Sequence, residues 1–225
     1  FLPAVKMTMK RLILCAAFLL GGCATQVVPL NVPGIERSEA ARVQDLRPAT
    51  EKESEIFSLS ITNEAYALYR VADAVMAPPP IRLLQHRAFE TFESRGAPAD
   101  IKVRHLVVYR NLQAGMRKAV LGQAIGGLIG AAVAGKAVTD PSGMAHSMVD
   151  ASAFDALEKT EYKRAQYSAE ENPGRGPVYI IYVETEINGT RAFTRTLAPH
   201  NGKEGENPLV KALEAAVAFN IAQHR

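Results

Sequence analysis

Few residues in this chain join a reactive side chain to a spacing that chemistry requires. Cys23 ends the run LILCAAFLLGGC at residues 12–23, just behind Lys10 and Arg11. Gly130, Gly135 and Lys136 reproduce most of a phosphate-binding GxxxxGK pattern. Position 137 is Ala, however, where a Ser or Thr would hold Mg²⁺, and no strand leads into the segment, so a nucleotide cradle is not expected. The histidines are His86, His105, His146, His200 and His224, and none makes HExxH or another ligand spacing. His86 is expected to face water beside Glu90, and His105 to be a satisfied side chain within a strand. Asp45, Asp73 and the glutamates supply carboxylates, which the sequence does not pair. There is no GxSxG elbow and no SxxK nucleophile. No catalytic residue, metal or cofactor is expected, which leaves the chemistry of Cys23.

Residues 12–20 are uncharged and apolar, too short for a bilayer span of about 20 residues. Behind two positive charges and ahead of Gly21-Gly22-Cys23, they read as a secretory signal. The arrangement resembles the bacterial lipobox. That resemblance implies that residues 9–22 are removed and that Cys23, thioether-linked to diacylglycerol, becomes an acylated N-terminus. Several acyl chains, at about 0.8 kcal/mol per buried methylene, make a stable tether without a spanning helix. Residues 1–8 are expected to be mis-called upstream sequence, with Met7 and Met9 as candidate starts.

The net charge of +3 belongs to the signal. Of 26 basic residues, Lys6, Lys10 and Arg11 fall within residues 1–22, which hold no acid, so 23 basic and 23 acidic residues remain. A nucleic-acid partner is not expected of such a balance. Cys15 leaves with the signal and Cys23 is acylated, so no thiol is left for a disulfide, a metal or a nucleophile.

Residues 23–40 hold Pro29, Pro33 and Gly34 without lasting periodicity and read as a tether. One domain is expected from 41 to 225. Residues 42–47 are a short strand candidate, and 56–61 alternate as a half-buried strand. Residues 66–76 read as a strand, though their pattern also suits a helix. After Pro78-Pro79-Pro80 a helix should open near Ile81 and end before Gly96. Residues 101–112 read as an inner strand, apolar on both faces in the middle. A surface helix over 151–167, capped by Asp150, has a thin apolar face of Phe154 and Leu157. Asn188-Gly189 joins residues 178–187 to 190–197 as a hairpin, which sets Glu186 opposite Arg191 as an expected ion pair. Asn207 caps a last helix whose stripe is Leu209, Leu213, Val217 and Ile221. Together these elements predict an α+β fold: a mixed or antiparallel sheet with helices mainly on one face.

The stretch between Leu112 and Pro177 reads as an insertion, about 113–177, with a Gly-rich helical part. Gly122, Gly126 and Gly130 recur every four residues, and Ala131 and Gly135 repeat that step. On a helix these make a flat face open to close backbone approach. Each glycine costs up to about 1 kcal/mol in a helix interior, so a packing partner must offset it. That partner is the domain itself, a second copy, or the membrane.

With the lipobox, Gln44-Asp45-Leu46-Arg47-Pro48, the helix IRLLQHRAFETFESRG, the strand IKVRHLVVY, the Asn-Gly hairpin and the terminal helix, the chain resembles the YajG-type bacterial lipoproteins. The resemblance covers most of the mature chain in order of elements, but not the Gly-rich insertion, and it carries no catalytic residues. It implies an outer-membrane lipoprotein. Ala24, rather than Asp, follows the cysteine, which by the same resemblance implies outer-membrane delivery, facing the periplasm. The expected role is non-catalytic binding of an envelope component. The alternatives are a membrane-associating or self-oligomerising unit acting through the Gly-rich segment, and an unrecognised periplasmic enzyme.

Overall fold

The computed structural model describes residues 27–39, 41–62, 64–92, 99–112, 135–167, 171, 176–202 and 204–225. In chain order the strands are β1 (Val28–Pro29), β2 (Val43–Asp45), β3 (Glu55–Thr62), β4 (Glu64–Val71), β5 (Met76–Ala77), β6 (Ile101–Asn111), β7 (Val138–Thr139), β8 (Ala145–Met148), β9 (Val178–Ile187) and β10 (Thr190–Pro199). The helices are α1 (Pro80–Thr91), α2 (Ala151–Asp155) and α3 (Pro208–Ala222). Among these residues a sheet runs β3-β4-β6-β9-β10-β8-β7, antiparallel throughout, and β2 pairs with β6 in parallel. β1 and β5 form a separate parallel pair. The fold is α+β, as the pattern of elements predicts.

Strand β6 organises the two layers. Ile101, Val103, Leu106 and Val108 point to one face, where they pack with Leu83 and Leu84 of α1 and Leu213 and Val217 of α3. Val107 and Tyr109 point to the other, against Phe154, Tyr182 and Phe193. Two-residue alternation would place position 105 with Ile101 and Val103. A register shift between Val103 and His105 inserts an extra residue and changes the phase. Bulges re-aim side chains in this way, and here His105 turns to the second face.

The hairpin and the last helix form as expected. Asn188 and Gly189 have φ of 51° and 84°, which the tight turn requires and which glycine adopts without strain. The Asn207 side chain accepts from the amides of Leu209 and Val210, and Leu209, Leu213, Val217 and Ile221 are buried. Arg191 is the register partner of Glu186, but the expected ion pair is absent. The bulge keeps Arg104 beside Lys102, and these two hold Glu186 at 2.8 and 2.7 Å. Arg191 reaches diagonally to Glu184 instead.

Four further expectations are corrected. The tether reading fails from Val28 onward, because Leu30 and Val32 belong to the main core. That segment folds back over α1. His86, expected in water, is therefore fully buried, with Nδ1 3.3 Å from Ser38 Oγ. The segment around 151–167 is a short helix and a 3-10 stretch (Glu158–Lys163) rather than one long surface helix. Phe154 is fully buried, and the segment roofs the second face of the sheet. Finally, β8 pairs with β10, so the later part of the expected insertion belongs to the sheet. Residues 140–143 turn the chain between β7 and β8, with the Asp140 carboxylate accepting from the amides of Ser142 and Met144.

Candidate functional site

At the end of β6 a row of register partners crosses three strands: Tyr69 on β4, Arg110 on β6 and Tyr179 on β9. Arg110 lies on the same face as Leu106 and Val108 by alternation, just past the part of the sheet that the helices cover. This row floors a cleft of about 450 Å³. Val28 and Val75 form apolar wall on one side, and Asn207, Pro208 and Leu209, the start of α3, close another. His200 completes the lining, its ring 5.0 Å from that of Tyr179.

The charge in this cleft is unbalanced. Arg110 donates to the hydroxyl of Tyr69, and its guanidinium carbon stands 5.6 Å from the centre of that ring. Its Nε is enclosed and has no hydrogen-bond partner, and no carboxylate lies within salt-bridge distance among the described residues. The neighbouring Arg70 is different: it pairs with Glu55 at 2.9 Å and with Glu161. Burial lowers the His200 pKa, and the charge of Arg110 lowers it further, so the ring is neutral at pH 7. His200 Nε2 is also enclosed without a partner. The N-terminal end of α3 adds the positive pole of a helix dipole. An apolar cleft with a single uncompensated cation suits a ligand that brings an apolar body and one negative charge.

A second, smaller pocket of about 220 Å³ lies on the opposite face, lined by Glu51, His105, Asp155, Glu158, Glu161 and Arg164. His105 Nδ1 is 2.5 Å from Glu51 Oε1, and its Nε2 is 3.6 Å from Glu184 Oε2. The ring stacks on Phe193 and meets Phe154 edge-on. Nδ1 is thus hydrogen-bonded to a buried carboxylate, while Glu184 Oε2 stands beyond hydrogen-bond reach of Nε2. Glu51 Oε2 also accepts the amide of Leu106, and Arg47 donates to the Leu106 carbonyl at 3.3 Å. The arrangement fastens the bulge and places His105 within the strand beside a buried carboxylate.

Arg47 carries that fastening further. Its guanidinium, 1 % exposed, grips Asp45 through Nε and Nη2 at 2.9 and 3.0 Å. It also holds Asp73 through Nη2 and Nη1 at 2.8 and 3.3 Å. Desolvation pushes the Asp45 carboxyl up, but the hydrogen bonds from Arg47 and Lys52 outweigh it and bring the pKa down to about 2. The Gln44–Pro48 motif is therefore a structural clamp between β2 and the segment after β4.

Cys23, Gly122, Gly126 and Gly130 lie outside the described residues. Gly135 lies in irregular chain ahead of β7, its amide donating to the Met148 carbonyl at 2.7 Å. It does not continue a helical small-residue face. A Cβ there would meet that carbonyl oxygen at an ordinary 3.5 Å, so the position does not demand glycine. No sequence pattern gathers the cleft residues into a site, although one signal is present: Arg110 is a cation in phase with the buried Leu106 and Val108. No group of three or more His, Cys, Asp or Glu side chains suited to a metal occurs among the described residues. No helix among them is long and apolar enough to cross a membrane. No protein-family model matches the chain, and no match was found among curated proteins or solved structures.

Proposed function

We propose that this chain is a lipid-anchored bacterial envelope lipoprotein, held at the outer membrane through Cys23 and facing the periplasm, with a non-catalytic binding role. The observation that supports a binding role is the cleft over Tyr69, Arg110 and Tyr179, where an apolar lining surrounds a guanidinium without a carboxylate partner. The lipobox supports the anchor. Val28, on the cleft wall, is five residues from Cys23, so extended chain at roughly 3.6 Å per residue keeps it within about 18 Å of the lipid. The cleft therefore works next to the membrane surface.

Cells expressing the full chain are labelled with a palmitate analogue and fractionated. The native chain should carry label and sediment with outer membranes, and Cys23→Ala should lose the label and leave the membrane. Retention of an unlabelled Cys23→Ala chain in the membrane overturns the tether and favours contact through the Gly-rich segment.

A further inference from the structure

We propose that the cleft binds a single-chain amphiphilic carboxylate taken from the adjacent membrane. The inference rests on the membrane-held binding role and names its ligand.

The head group follows from the charge. Arg110 is the one guanidinium of the cleft left without a carboxylate among the described residues, and guanidinium and carboxylate match in shape as well as sign. One uncompensated positive charge answers one negative charge. A doubly charged phosphate would need a second cation, and the neighbouring His200 is kept neutral by its burial and by Arg110. The hydroxyl of Tyr69 supplies hydrogen bonding without further charge.

The tail follows from the walls. Val28, Val71, Val75 and Leu209 present aliphatic surface beyond the polar row. At roughly 30 Å³ per water-sized unit, 450 Å³ holds about 15 non-hydrogen atoms. That is room for a twelve-carbon carboxylate. The source is the membrane, because Val28 ties one wall to the lipid-bearing end of the chain.

The test uses the full acylated chain in phosphatidylcholine vesicles and a laurate probe with a diazirine on its tail. Photolysis should place adducts on peptides containing Val28, Val71 to Val75 or Leu209, and excess laurate should suppress them. Arg110→Gln should reduce labelling at least tenfold, and Arg110→Lys should restore part of it. A probe with the same tail and an amine head should not label these peptides. Val75→Trp, which fills the cleft but keeps the charge, should also abolish the adducts. Circular dichroism checks that each variant is folded. Equal labelling by the amine probe, labelling indifferent to Arg110, or no cleft adducts at all overturns the proposal. Such a result with Cys23-dependent membrane retention intact removes the ligand class alone. Loss of that retention removes the membrane-held role on which the inference rests.

Discussion

Tyr69 and Arg110 are register partners on β4 and β6, and the arginine donates to the tyrosine hydroxyl while its guanidinium lies 5.6 Å from the centre of the ring. A cation on the helix-covered face of a sheet is usually neutralised by a carboxylate. Here an aromatic ring and a hydroxyl take that place, which holds the side chain without cancelling its charge.

The charge is detectable through a neighbour. Burial first, and Arg110 second, lower the His200 pKa. Arg110→Gln should therefore raise it, measured by following the ring-proton shifts against pH in nuclear magnetic resonance. An unchanged His200 titration contradicts the proximity on which the cleft is built.

Arg47 should be a stability residue. Replacing it with Met removes the guanidinium donor of Asp73 and the Leu106 carbonyl and leaves Asp45 with Lys52 alone among its cations. Breaking a buried ion pair from one side costs about 3–5 kcal/mol. Urea unfolding should show a loss of that size, and Arg47→Lys, which cannot make two forked contacts, should recover only part of it.

Acid should weaken the fold in a defined window. Asp45 and Glu186 have ordinary values of 3.8 and 4.5 and are both brought to about 2 in the folded chain. For Glu186 the hydrogen bond from Arg104 is the largest cause, followed by that from Lys102. A depressed carboxylate contributes its stability in full above its unfolded value, and that contribution is lost as pH falls toward and through the folded value. Unfolding midpoints should fall between about pH 5 and pH 2. The slope should be shallower in Asp45→Asn.

Phe154 separates a surface helix from a roof. Phe154→Ala should cost about 3–5 kcal/mol, as for a buried aromatic residue, since the ring touches His105, Tyr182 and Phe193. A change within about 0.5 kcal/mol, the value for an exposed site, would return the segment to the surface.

Local signals made much of this fold legible. The Asn-Gly turn, the Asn207-Pro208 start of α3 and the Leu209 to Ile221 stripe each carry their own geometry, and all three hold. What escaped depended on contacts between distant segments. The bulge before His105 has no turn residue to announce it, and Glu51 and Arg47 reach it only in the folded chain. Helical spacing predicts His86 in water, but Ser38 and Ala41 lie against His86 and Gln85 of α1, because a proline-containing stretch still offers Leu30 and Val32 for burial. Thin apolarity around Phe154 suggested a surface helix, yet one large ring suffices to plug the second layer. The cleft itself joins β1, β4, β6, β9 and the start of α3, an assembly no local pattern encodes.

The most direct measurement of the central claim is hydrogen exchange of the vesicle-bound full chain with and without laurate. Amides in residues 69–76, 109–111 and 207–210 should gain protection, while those around Glu51 and His105 should not change. Protection centred on His105, or none in the cleft segments at saturating laurate, would contradict the account.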